Sequence, residues 1–187
     1  MHRRKPKEER ATIVTAWVEE EDIQPFHRLR QAFFPGHRNF LSAHVTLFHH
    51  LKPWVRDAAI DLAHTYKWTE QFELTDGRLP VAVTGVFAMG KGTAYALEPE
   101  PLIRLREPLR TTFADALTSQ DSRPWKRPHI TVQNKVEPAE AQRLHRHLAA
   151  RFRPCTLRVR GLRFFRYDYG PWTLLAEVPF LSEATEK

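Results

Sequence analysis

The spacing of apolar positions along the chain predicts alternating elements in the order β-α-β-α-β-β-β-α-β-α-β-β. Residues 12–18 alternate apolar and polar and predict a strand. Residues 21–34 carry acids in their first turn and stop at Pro35-Gly36, which predicts a helix. Residues 43–51 predict the second strand. Lys52-Pro53 then opens a helix to about residue 66, since proline in a first helical turn forgoes no hydrogen bond. Residues 72–74, 81–89 and 93–97 predict three strands, the last two joined by the turn Met89-Gly90-Lys91-Gly92. Residues 101–118 place Leu102, Leu105, Leu109, Phe113 and Leu117 on one helical face. A polar loop over 119–128 leads to another strand, then to a helix over 138–152 with Leu144 and Leu148 inward. Residues 156–167 and 172–178 close the chain as two strands.

Two of these strands carry nearly the same string. His44-Val45-Thr46-Leu47 and His129-Ile130-Thr131-Val132 both read His, apolar, Thr, apolar. Given the His, Thr and hydrophobic content, chance predicts roughly 0.1 such string in the whole chain, so two copies point to a shared role. Side chains alternate faces along a strand, so each His shares a face with its Thr while the apolar residues turn to the core. Each string is followed by a charged residue, a proline and a helix (Lys52-Pro53 and Glu137-Pro138), which suggests a duplicated unit.

Length and charge narrow the chemistry. The 187 residues suit one domain or two small fused lobes, and the formal net charge of +7 favours a polyanionic partner such as nucleic acid or a phosphorylated ligand. Residues 1–10 are expected to be a mobile basic arm, 11–181 one two-lobed domain, and 182–187 a frayed end. Cys155 is the only cysteine, which excludes an intrachain disulfide and a cysteine-based zinc site and fits a reducing cytoplasm; it is expected to pack as a small apolar residue. No stretch has the apolar length of a membrane span.

Two imidazoles and two hydroxyls converging across a cleft suit a phosphate ester. Histidine titrates near neutrality, so one ring can act as base while the other acts as acid, and the hydroxyls of Thr46 and Thr131 can donate to non-bridging phosphate oxygens. No metal or other cofactor enters that scheme.

The strings Ala43-His44-Val45-Thr46-Leu47-Phe48 and Arg127-Pro128-His129-Ile130-Thr131-Val132 resemble the two-histidine phosphoesterase superfamily, specifically its bacterial 2′-5′ RNA ligase-like branch. The resemblance covers most of the chain. It implies an α+β, bilobal, duplicated fold: two antiparallel sheets flanking a central cleft, helices outside, one motif from each lobe. It also implies metal-independent chemistry on RNA ends or small nucleotides: opening 2′,3′-cyclic phosphates, or cleaving and forming 2′-5′ linkages. His44 and His129 would be the acid–base pair, the second-motif His serving as base in cyclic phosphate hydrolysis, with Thr46 and Thr131 on the phosphate. A monomer is expected, because the duplication supplies both halves of the site.

The sequence departs from the family after each motif. Phe48-His49-His50 stands where many RNA ligase-like members carry an aromatic-leucine-glycine ending, and Gln133-Asn134-Lys135 follows the second motif. By strand parity His50, Gln133 and Lys135 share the motif face and are expected to contact substrate, while His49 points elsewhere. A smaller nucleotide is then a possible substrate. Arg127, with Lys126, is expected to contact RNA phosphates. Trp125, Phe34 and Phe40 are candidate base-stacking rings. Arg160, Arg163 and Arg166, three apart, cannot all share one strand face. The alternative function is a basic RNA-binding module that keeps the fold without turnover.

Overall fold

The structure, a computed structural model, describes residues 5–125 and 127–181. Part of the expected arm (1–4), the RNA contact expected of Lys126, and the expected frayed end (182–187) lie outside the described residues.

The chain runs through β1 (Thr12–Val18), α1 (Glu20–Phe33), β2 (Val45–Leu51), α2 (Arg56–Thr65), the single turn α3 (Trp68–Gln71), β3 (Leu79–Ala88), β4 (Gly92–Leu97), α4 (Pro99–Thr112), the single turn α5 (Ser119–Ser122), β5 (His129–Asn134), α6 (Pro138–Arg151), β6 (Cys155–Tyr167) and β7 (Trp172–Pro179). The α+β class and the antiparallel pairing agree with the sequence reading. Residues 72–74 are not a strand. They follow α3, whose Trp68 is buried with its indole N–H donating to the Ala63 carbonyl (2.8 Å), so Phe72 anchors a turn instead of pairing. The α4 helix stops at Thr112, six residues short of expectation; downstream, Thr118 caps α5 by accepting from the Asp121 amide (3.4 Å).

The expected pair of sheets is in fact one. The strands lie in the order β2-β1-β6-β3-β4-β5, with β7 also on β6. The cause is the length of β6. One edge pairs β1 over residues 159–166; the other pairs β3 over 155–159 and then β7 over 161–167. Gly161 sits where the second edge changes partner, and a Cβ there would lie 2.1 Å from the Val178 carbonyl oxygen. Two halves, β2-β1-β6-β7 and β6-β3-β4-β5, therefore share a strand. One core runs beneath both, with Val14, Leu162 and Phe164 in the first half, Val81, Leu97 and Ile130 in the second, and Leu102, Leu105, Leu144 and Leu148 packed from the helices.

Residues 5–10 dock on the β6–β7 turn: Arg10 pairs with Asp168 (2.6 Å) and the Lys5 amide donates to the Tyr169 hydroxyl (2.8 Å). Cys155 is exposed at the start of β6, not packed as expected. No helix among the described residues is long and apolar enough to cross a membrane.

Candidate active site

The strands carrying the two motifs are the two ends of the sheet path, and the sheet curls until β2 and β5 approach each other. Arg30 of α1 fastens the approach. Its Nε donates to the Leu41 carbonyl (3.0 Å) and to Asn39 Oδ1 (2.9 Å), in the segment before His44, and its Nη1 donates to the Thr131 carbonyl (3.0 Å) in the second motif. The side chain is buried, its guanidinium stacks on Phe34 (4.1 Å), and burial lowers its pKa to about 10. Phe34 is thus occupied by Arg30.

The two histidines are held alike. His44 Nδ1 lies 2.7 Å from the Ser42 carbonyl and His129 Nδ1 lies 2.9 Å from the Arg127 carbonyl, each two residues upstream. A carbonyl only accepts, so Nδ1 carries the proton and Nε2 is left to exchange one with a ligand. Each ring also rests on an aromatic: His44 on Trp172 (centroids 4.7 Å apart), His129 edge-on to Phe87 (5.7 Å). Thr46 and Thr131 follow two positions on, and the Thr131 hydroxyl meets Met89 Sδ at 3.8 Å.

Burial lowers the His44 pKa to about 4, opposed by the bond to Ser42 and assisted by the charges of Arg30, His49 and His129. His129 is also lowered, first by burial, with the bond to Arg127 opposing and His49 and Arg127 assisting. Between pH 6.5 and about 4 the unfolded chain therefore binds a proton at His44 that the folded chain does not. The stability this provides is complete above 6.5 and is lost as pH falls toward 4. Denaturant unfolding of the wild type and of His44→Asn at pH 7 and pH 4.5 is expected to show the larger acid-induced loss in the wild type; equal losses would contradict a desolvated His44.

Beyond the motifs, strand parity fails. β1 residues Val14 and Thr15 pair with Phe48 and Thr46, so one step on β1 matches two on β2. Thr93 and Ala94 of β4 pair with Gln133 and Thr131, the same mismatch on β5. Each motif is thus followed by a β-bulge at the equivalent place, with Leu47-Phe48 and Val132-Gln133 buried in succession. This corrects four expectations. Gln133 turns to the core, where its amide donates to Glu140 (3.2 Å), and does not line the cleft. Lys135 lies beyond the strand with left-handed backbone (φ 62°). His49, expected to point elsewhere, lines a cavity of about 220 Å³ with His129, Arg127, Arg106, Arg123 and Trp125, whereas His50 lines a separate groove beside Trp54.

Asp121 sets up that divergence. One carboxylate takes the successive amides of His49 (2.9 Å) and His50 (2.8 Å) and approaches His49 Nδ1 at 3.3 Å. Burial alone would raise its pKa, but these donors hold it below the ordinary carboxylate value. Arg106, also buried, donates to the Asp121 carbonyl (2.7 Å) and stacks between Phe48 (4.8 Å) and Trp125 (5.0 Å), while its Nε has no partner. Arg127 lies against Phe87 (4.9 Å) and lines the same cavity as His129.

On the His44 side a cavity of about 280 Å³ is lined by His44, Thr15, Phe40, Arg163, Phe165 and Trp172, among others. Of the three candidate stacking rings, Phe40 alone is strongly exposed (60 %). Arg160 and Arg163 both reach the Trp17 ring (4.4 and 5.0 Å) although three apart, because Arg160 is the extra residue of a bulge opposite Trp17 and Val18; Arg166 turns away to Asp168 (2.9 Å). Among the described residues no group of three or more His, Cys, Asp and Glu is placed to hold a metal ion.

A family model described as the 2′-5′ RNA ligase superfamily matches residues 18–171. A search of curated proteins finds no match. Among solved structures, TT0787 of Thermus thermophilus aligns with a TM-score of 0.60 at 18 % identity, over 93 % of this chain and 100 % of that one. E. coli LigT complexed with NADP+ gives 0.56 at 16 % identity, and LigT complexed with 3′-AMP gives 0.53 at 14 %, each over 93 % of this chain and 99 % of the other. At these identities the likeness is one of fold.

Proposed function

The chain belongs to the 2′-5′ RNA ligase superfamily, and from that premise we propose that it is a phosphoesterase of RNA ends or small nucleotides, opening 2′,3′-cyclic phosphates or cleaving and forming 2′-5′ linkages. The observation that carries this reading is the matched pair of imidazoles. Two rings from opposite ends of the sheet each have Nδ1 satisfied by a backbone carbonyl and Nε2 available. Acid and base of one displacement need that disposition, one ring on the attacking and one on the leaving oxygen.

In hydrolysis of a 2′,3′-cyclic phosphate, His129 Nε2 takes a proton from the attacking water as its oxygen bonds to phosphorus. His44 Nε2–H gives its proton to the departing ribose oxygen as the P–O bond breaks. Thr46 and Thr131 donate to the non-bridging oxygens, and Arg127 adds positive charge beside His129. With a ribose 5′-hydroxyl in place of water the same step opens the ring and forms a 2′-5′ linkage, and its reverse cleaves that linkage to the cyclic phosphate and the free hydroxyl. A bound phosphodiester anion raises both lowered histidine pKa values, which supplies the protonated acid the step requires. The nucleotide complexes of E. coli LigT support a nucleotide ligand for this fold. Both motifs come from one chain, so the site is complete in a monomer.

The test is product analysis with a 2′,3′-cyclic nucleotide, an RNA bearing that end and a 2′-5′-linked dinucleotide, each in EDTA. Turnover of at least one is expected. Binding without turnover of any would favour the RNA-binding module, and turnover abolished by EDTA would place a metal in the reaction.

A further inference from the structure

A second aromatic and basic surface lies toward the other end of β2 from His44, around His50. A groove of about 510 Å³ there is lined by Trp54, Tyr167, Tyr169, His50, Lys52 and Arg10, together with Lys5 and one carboxylate, Glu9. Trp54 is 71 % exposed, and the Lys52 ammonium sits 4.9 Å over its ring. Arg10 lies 5.3 Å over the Tyr169 ring, which stands 5.7 Å from that of Tyr167. Flat rings left open to solvent and interleaved with cations are the chemistry of a nucleobase stacking site, not of a core.

The groove is built, not incidental. Tyr169 adopts left-handed backbone (φ 63°), a costly state for a bulky residue. It is maintained because Asp168 beside it is gripped by Arg10 (2.6 Å), Arg166 (2.9 Å) and Thr173. The same turn reaches the candidate active site. Gly170 (φ 149°) supplies a backbone conformation that other residues rarely adopt, the turn lies within van der Waals reach of the Phe40 ring, and Phe40 and Trp172 both line the His44 cavity. Aromatic rings thus run from half-buried Trp172 beside His44 to exposed Phe40 and, across the turn, to exposed Tyr169 and Trp54.

We propose that this groove holds the bases of a single-stranded RNA whose terminal phosphate lies between His44 and His129, making an RNA end, and not a mononucleotide, the preferred substrate. The proposal rests on the catalytic reading above. A stacked strand rises about 3.4 Å per nucleotide, so a hexanucleotide extends about 20 Å from its terminal phosphate.

The experiment compares a 2′,3′-cyclic mononucleotide with a hexanucleotide ending in 2′,3′-cyclic phosphate, using wild type, Trp54→Ala and Tyr169→Ala. Loss of one stacked ring is expected to lower kcat/KM for the hexanucleotide about tenfold, mainly through KM, and to leave the mononucleotide unchanged. Equal effects on both substrates, or none on the hexanucleotide, would overturn the groove as an RNA site. Quenching of tryptophan fluorescence by a hexanucleotide with a free 3′-hydroxyl separates the two readings. Quenching lost in Trp54→Phe, from a protein that turns over neither substrate, would uphold the groove and sink the catalytic reading. Absence of quenching would overturn the groove and leave the patch to a protein partner.

Discussion

Replacing His44 or His129 by alanine is expected to lower turnover of a 2′,3′-cyclic phosphate by about 10²–10⁴-fold, the range for removing a positioned acid or base. Substrate binding should be much less affected, since Thr46, Thr131 and Arg127 remain. The double variant should be little worse than either single one, because half of an acid–base pair does not complete the displacement. The pH profile adds a sharper readout. Both rings titrate below the ordinary histidine value in the free protein, His44 at about 4. The limbs of kcat/KM, which report the free protein, should therefore lie on the acid side of 6.5. The limbs of kcat should lie higher, because bound phosphate favours the imidazolium. Retained turnover in both alanine variants would remove the pair from the mechanism, and coincident profiles would contradict the desolvation argument.

The expected sharing of a face within each motif needs only the strand itself, a period of two over four residues. His44 with Thr46 and His129 with Thr131 follow from alternation, and Pro138 marks the first turn of α6, whereas Pro53 opens a separate 3-10 turn (Pro53–Val55) ahead of α2. What lies two or three residues beyond each motif is not legible, because the bulges arise from pairing with β1 and β4. In the first motif the consecutive apolar pair Leu47-Phe48 breaks the alternation and is a usable signal; in the second, Val132-Gln133 gives none. The single sheet is not readable from the sequence for a related reason, since a 13-residue strand does not announce that its edge will serve two partners. Arg30 does carry a sequence signal: it stands four residues after Phe26, on the buried face of α1. Asp121, three after the Thr118 cap, marks a helix start, but its grip on the His49 and His50 amides exists only in the fold.

Arg30→Met is expected to lower stability by about 2–4 kcal/mol and to reduce turnover beyond what lost stability explains. Methionine keeps much of the length and the apolar packing on Phe34, so the loss isolates the guanidinium. Without it the Leu41 and Thr131 carbonyls and the Asn39 side chain lose their shared donor, and the segment carrying His44 is no longer tied to the strand carrying His129. Two motif strands that meet across the end of a curled sheet depend on such a tie, because no backbone ladder joins β2 to β5. A spacing error of about 1 Å between acid and base is enough to cost roughly 100-fold in rate. The substitution also removes a positive charge that disfavours the His44 imidazolium, so the His44 pKa should rise, seen by NMR titration of the folded variant. A purely structural arginine would leave that titration unmoved. Arg30→Lys keeps the charge but cannot reach three acceptors at once, so it should preserve the low His44 pKa while losing turnover. Full activity in Arg30→Met at a temperature where it is folded would show that the two halves of the site find their register without it.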